Sequence, residues 1–303
     1  MIKTLTVTNH LGDEIELELM RPEKSGFLVK SIDGLGPTKA TINMSDMALH
    51  DGAVHNSAYL NTRNIVLNLG FISTDKETIE DIRHKSYKYF PIKRNVKITI
   101  ETDNRVSETE GYIEDNQPNI FDQNEGCSIT IVCADPYFYA KATNTVVFSG
   151  LESVFNFPFT NEVNEPKLVI SEIQNKKEQT IWYDGDSEIG VIINIHAIGS
   201  ATNLSIYNRF TNEQMHIDSE KLIALTGSDI KFGDDITIDT RKGHKSITLL
   251  RDGETKNILS CLKKNSDWFT LAKGDNIFIY KVDGEGSTSL QFSIKNKIIY
   301  DGV

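Results

Sequence analysis

A mainly β protein in two parts, the first α+β and the second nearly pure β, is the fold class this sequence predicts. Three observations predict it. At 303 residues the chain exceeds the comfortable size of one hydrophobic core, which favours two domains. Apolar and polar residues alternate with a period of two in many short runs. Helical spacing stands out in a single segment, between Thr74 and Pro91.

The first part spans residues 1–139. Alternation is clear at Glu14–Leu19, Ile65–Leu69 and Val96–Ile100, each reading as a strand with one buried face. The helix is expected to begin with a capping box, Thr74-Asp75-Lys76-Glu77, in which hydroxyl and carboxylate satisfy first-turn amides. Ile79, Ile82 and Tyr89 or Phe90 then give one narrow apolar face, and Pro91 stops the helix. A single amphipathic helix among strands must lay that face on a sheet, which predicts a β-sandwich or barrel with one helix.

Residues 140–167 read as a transition. They carry Ser149-Gly150, then Phe155, Phe157 and Phe159 around Pro158, a pattern that fits an edge strand over Val154–Phe159 capping a core. From 168 to 303 short strands are separated by turn signals at Asp184-Gly185-Asp186, Gly199-Ser200, Gly233-Asp234, Lys242-Gly243, Asp252-Gly253, Lys273-Gly274-Asp275 and Asp283-Gly284. Turns every roughly 8–12 residues mark a β-sandwich. Ile236–Thr240 and Ser246–Leu250 flank Arg241–Lys245 as a hairpin. The final stretch, Leu290–Val303, either closes the sandwich or returns to the first domain.

Composition narrows the function. The net charge is −11, from 32 Lys+Arg against 43 Asp+Glu. Residues 1–138 hold 14 basic and 21 acidic residues (−7), and the remainder 18 and 22 (−4). Neither part offers the basic footprint a nucleic-acid binder needs to release counterions from phosphates. No run approaches the roughly 18 apolar residues that span a bilayer, so membrane insertion is not expected. Met1–Val7 alternates like a strand and lacks the apolar block of a signal peptide, so synthesis in the cytoplasm is expected. Cys127, Cys133 and Cys261 form no CxxC pair and no Cys/His cluster, and read as packing residues without metal.

Catalytic patterns are missing. There is no G-x-S-x-G elbow, and the seven histidines show no H-E-x-x-H spacing. Asp234-Asp235, Asp283/Glu285 and Asp184–Glu188 are acidic enough for a carboxylate pair or a calcium loop, but sit where aspartate makes ordinary turns. No enzyme and no cofactor is expected.

A fixed order of segments is more informative. Ile32-Asp33-Gly34-Leu35-Gly36-Pro37-Thr38-Lys39-Ala40 is followed by Asp51-Gly52-Ala53, then by Asn61-Thr62-Arg63-Asn64-Ile65-Val66-Leu67. Tyr87-Lys88-Tyr89-Phe90-Pro91 and Cys133-Ala134-Asp135-Pro136-Tyr137-Phe138-Tyr139 complete it. That order resembles the distal tail proteins of long-tailed bacteriophages, the Dit family. The second part is similar to the same family at Gly233–Thr240 and Trp268–Asn276.

The resemblance implies a ring domain over residues 1–139 and, over 168–303, a jelly-roll sandwich like those of galectins and carbohydrate-binding modules. It implies a homo-hexameric ring, single or stacked, at the tail tip of a virion. The implied partners are the tail-tube protein, a tail-associated lysin or hub protein, and receptor-binding proteins or side fibres. DNA would cross the central channel without specific binding, and an acidic wall suits that passage. Because the resemblance is densest at Asp33, Gly34, Gly36, Pro37, Lys39, Arg63 and Asn64, these are the expected subunit contacts. Arg63 would suit a bidentate pair with a neighbour's carboxylate. The alternative is a carbohydrate-binding module attaching the particle to the cell wall, with Trp182, His196, Arg209 and Trp268 as its candidate site. Trp182-Tyr183 and Trp268-Phe269 sit among apolar neighbours, so core packing competes with a sugar platform.

Overall fold

The computed structural model describes residues 1–47, 51–121, 123–153, 171–175, 178–283 and 290–303. The chain divides into two compact units, Met1–Ala142 with Ile299–Val303, and Thr143–Ile298. The sequence placed the boundaries at 139 and 168; the division falls between Ala142 and Thr143, and the last five residues join the first unit.

The first unit runs β1 (Ile2–Thr8), β2 (Glu14–Glu18), β3 (Phe27–Asp33), β4 (Ala40–Asp46), β5 (Ala53–Leu60), β6 (Arg63–Phe71), α1 (Ile79–Tyr89), β7 (Asn95–Thr102), β8 (Val106–Asn119), β9 (Gly126–Cys133) and β10 (Phe138–Ala140). Its main sheet is antiparallel in the order β2-β1-β7-β8-β9-β6-β3, and β10 pairs with both β8 and the terminal strand Ile299–Tyr300. The alternation seen in sequence follows from one buried face. Leu5 and Val7 of β1, Leu67 and Leu69 of β6, Ile98 and Ile100 of β7, and Ile129 and Ile131 of β9 form one core.

Helix α1 lays Ile82 on that core, and Phe90 just beyond it is also buried. Burying an isoleucine in this way contributes about 1.5–3 kcal/mol. The helix starts one turn later than expected. Its N-cap is Thr78, whose hydroxyl accepts from the Asp81 amide at 3.3 Å, while Asp81 accepts from the Thr78 amide at 2.9 Å. Thr74 instead shapes the turn before it, accepting from the Glu77 amide at 3.1 Å. Both threonines carry an acid three residues on, and only the second leads into unbroken helical backbone.

The second unit runs β11 (Asn144–Val147), β12 (Ser149–Ser153), β13 (Ser171–Asn175), β14 (Glu178–Tyr183), β15 (Ile189–Gly190), β16 (Ile192–Ala197), β17 (Thr202–Asn208), β18 (Glu213–His216), α2 (Ser219–Thr226), β19 (Asp235–Asp239), β20 (Ser246–Arg251), β21 (Glu254–Asn257), β22 (Thr270–Leu271), β23 (Gly274–Asp283) and β24 (Leu290–Asn296). Two antiparallel sheets dominate, β11-β24-β16-β19-β20-β21 and β14-β23-β17-β18. Their inward positions meet: Tyr280 of β23 stacks on Phe292 of β24 at 4.1 Å, and Phe148 tilts against Phe292 at 5.8 Å. This is the face-to-face packing of a β-sandwich. The expected hairpin is β19–β20, and Asp252-Gly253, both at positive φ, turns β20 into β21.

The second unit also holds α2, which the sequence reading did not include. Asp218 caps it by accepting from the Glu220 amide at 3.1 Å, and Gly227 ends it at φ 86. The phenylalanine stretch expected as an edge strand, Val154–Phe159, lies outside the described residues. Cys127, Cys133 and Cys261 are free and buried, and burial pushes the Cys127 thiol up to about 12. They act as packing residues.

Candidate functional site

Gly34 follows β3 at φ +86, in the left-handed region, and a Cβ there would lie 2.0 Å from the Asn64 carbonyl oxygen. The loop after it therefore runs hard against the start of β6. Arg63 fixes it there. Its Nε donates to the Pro136 carbonyl at 2.7 Å, Nη1 to the carbonyls of Gly34 (2.5 Å) and Gly36 (2.6 Å), and Nη2 to that of Asp301 (2.7 Å). The guanidinium lies 4.4 Å above the Phe138 ring, and the Val303 amide donates to the Leu35 carbonyl at 3.0 Å.

Arg63 is only 2% exposed, and burial lowers its pKa. The expectation that it pairs with a neighbour's carboxylate is therefore corrected. Its donors are turned inward, where carbonyls of the glycine-rich loop, of Pro136 and of Asp301 converge on the fork.

The loop and the start of β6 form a cleft of about 530 Å³. Six of the seven expected contact residues line it: Gly34, Gly36, Pro37, Lys39, Arg63 and Asn64. Asp33, the last residue of β3, is exposed one position before it.

The cleft opens at the root of an element the sequence reading passed over. Among the described residues, strands β4 and β5 pair only with each other, and the Asn61 amide joins them at the base by donating to the Lys39 carbonyl at 3.1 Å. Nearly every residue of both strands is exposed. The register places Ala40, Ile42 and Met44 on one face opposite Leu60, Ala58 and His55, while Thr41, Asn43 and Ser45 share the other with Tyr59, Ser57 and Val54. Ile42 is 54% and Met44 60% exposed. A two-stranded hairpin with an uncovered apolar face is marginal in water on its own.

A second surface lies on the side of the main sheet away from the core. Two register rows cross β2, β1, β7 and β8, Glu14–Thr8–Lys97–Glu110 and Glu16–Thr6–Thr99–Glu108, and a third, Glu18–Thr4–Glu101, crosses the first three of them. These rows carry six glutamates against one lysine, Lys97, which pairs with Glu108 at 2.5 Å. The face is hydroxylated and acidic.

The candidate sugar residues are not assembled into one site. Trp182 of β14 points out, 65% exposed, and it is its neighbour Tyr183 that is buried. Arg209 follows β17 on the same sheet, with β23 between the two. His196 belongs to the other sheet, where Nδ1 lies 2.6 Å from Asp235. Trp268 is half-buried beneath Lys245, and its neighbour Phe269 is buried. Asp184 pairs with Lys273 at 3.6 Å in a turn held by the Tyr183 hydroxyl donating to the Ser187 carbonyl. Among the described residues no group of three or more His, Cys, Asp or Glu side chains could hold a metal ion.

Known proteins resemble this arrangement. Residues 184–295 match the family model of the siphovirus-type tail component, C-terminal domain. No curated protein matches the chain. The crystal structure of the Dit protein of phage SPP1, described as a paradigm of the hub adsorption apparatus in phages infecting Gram-positive hosts, superposes with a TM-score of 0.64. Identity is 14%, covering 98% of this chain and 100% of that one. A chain of the phage p2 baseplate in its activated conformation gives 0.48 at 13% identity, covering 99% of each. Residues 184–295 are thus similar to the C-terminal domain of siphovirus-type tail components, and the chain as a whole has the fold of the SPP1 Dit protein.

Proposed function

We propose that the chain is a structural hub of the tail tip that closes with copies of itself into a ring, six by the family resemblance. The ring joins the tail tube to the tail-associated lysin or hub protein. The second unit serves as the attachment point for receptor-binding proteins or side fibres. The protein is made in the host cytoplasm and ends at the virion tail tip.

The observation that carries this reading is the β4–β5 hairpin. Its apolar face is exposed among the described residues of its own unit, and a neighbouring copy would supply cover. Identical subunits joined head to tail close into a ring when the rotation fits. The acidic rows on β2, β1, β7 and β8 suit the wall of a channel along which DNA slides without adhering. Trp182 alone serves the sugar-binding alternative, and its partners are scattered.

Light scattering across a concentration series, with negative-stain images, tests the reading. A hexamer or a stacked pair of rings with an open centre is expected. Ile42→Ser with Met44→Ser should shift the protein toward monomer by about tenfold in concentration, with its unfolding temperature unchanged, since both side chains are exposed. A wild-type protein that stays monomeric at every concentration sinks the reading, and so does a double variant that assembles as the parent does.

A further inference from the structure

The turn between β8 and β9 leaves Ile120 44% and Phe121 97% exposed. Phe121 is the most exposed large apolar side chain among the described residues. Ile120 and Phe121 together put two adjacent apolar side chains at the tip, and covering them would be stabilising.

The base of that turn is well anchored. The Phe71 amide donates to the Glu125 carbonyl at 2.9 Å, the Glu125 side chain pairs with Arg83 of α1 at 3.3 Å, and Gly126 pairs with Gly70 of β6. Ile120 and Phe121 therefore project beyond an anchored base.

Position gives this pair its meaning. It sits beyond the last residues of β6, whereas the cleft lies at the first, Arg63 and Asn64. A nine-residue strand spans roughly 26 Å at about 3.3 Å per residue, so the pair and the cleft occupy opposite ends of one sheet. Two different patches at opposite ends are what a head-to-tail contact between identical copies requires.

The chemistry is complementary as well. From Asn119 to Glu125 the sequence has acidic but no basic residues. The cleft segments, residues 34–39 and 61–64, contain no acid, and with Arg63 turned inward onto backbone carbonyls the exposed cation there is Lys39. Lys39 and Asn61 lead directly into Ala40 and Leu60, the first pair of the hairpin's apolar face.

We infer that Ile120 and Phe121 of one copy seat where the cleft of the next copy meets the root of its β4–β5 hairpin. The Phe121 ring packs on Ala40 and Leu60, and the Lys39 ammonium lies against the ring face. A cation over a desolvated ring adds to the burial, and an aromatic anchor at the centre of an interface carries a large share of its affinity. The inference rests on the ring reading above and names the two halves of its contact.

Cysteine cross-linking of the full chain tests it. Within one chain, Phe121→Cys and Leu60→Cys stand far beyond the roughly 7 Å that a disulfide can bridge between Cα atoms. The three native thiols are buried, so background linkage should be low. Oxidation of the double variant is expected to give a ladder of covalent multimers ending at the ring size, while each single variant gives at most dimers. Phe121→Ser should weaken self-association about tenfold without lowering the unfolding temperature. If the double variant forms rings that do not link, and Phe121→Ser assembles like the parent, this contact is overturned while the ring survives. If the parent protein does not self-associate at all, the contact and the ring reading fall together.

Discussion

Arg63 shows how one side chain can organise a surface without belonging to it. Its fork satisfies four carbonyls, of Gly34, Gly36, Pro136 and Asp301, from three segments far apart in the chain. A lysine keeps the charge but presents a compact ammonium that cannot reach four acceptors across a plane. Arg63→Lys is therefore expected to cost about 2–4 kcal/mol, since each buried acceptor left without a donor costs about 1–3 kcal/mol and the losses do not add fully. Urea unfolding measures it, and a loss under about 1 kcal/mol would mean that the carbonyls find other partners. The sequence pointed to the neighbourhood of Arg63 and missed its direction. Nothing in Asn61-Thr62-Arg63-Asn64 tells whether a guanidinium turns inward, because its acceptors are backbone atoms that carry no residue-type signal.

At the level of elements, the strands with one buried face were legible and those without one were not. β2, β6 and β7 alternate against a core and fall where the pattern placed them. The β4–β5 hairpin also alternates, Ala40-Thr41-Ile42-Asn43-Met44-Ser45, yet its apolar set faces no core among the described residues of its unit. Capping failed in a different way. Thr74 and Thr78 offer the same hydroxyl-plus-acid signal four residues apart, and only the continuation of helical backbone selects between them. Thr78→Ala should cost about 1 kcal/mol, the usual loss of an N-cap, and Thr74→Ala clearly less. Thermal unfolding of the two variants decides it; equal losses would place the start of α1 at the earlier threonine after all. In α2 the signals were present in Asp218 and Gly227, but eight residues between strands are easily read as a turn.

For the whole molecule, the connectivity matters more than the count of domains. Turn signals and composition shifts marked a boundary near residue 140, but no local pattern shows where the chain returns. Leu290–Asn296 closes a sheet of the second unit, whereas Ile299–Val303 pairs with β10 and supplies the Asp301 carbonyl to Arg63 and the Val303 amide to Leu35. Arg105 also lies 4.5 Å above the Tyr300 ring. The second unit is thus an insertion in the chain of the first, and a cut at residue 142 removes part of the first unit's own framework. Phe138 pairs with Tyr300 and Tyr139 with Ile299 in antiparallel register, so a short glycine-serine turn could join residue 142 to 299 directly. The joined protein, 1–142 linked to 299–303, is expected to melt at least roughly 5 °C above 1–142 alone, since restoring about 2–3 kcal/mol moves a domain of this size by several degrees. Differential scanning calorimetry on the two proteins would show it. Equal melting temperatures would mean that the terminal strand decorates the first unit rather than completing it, and that the loop at Gly34–Lys39 holds its shape without the chain end beneath it.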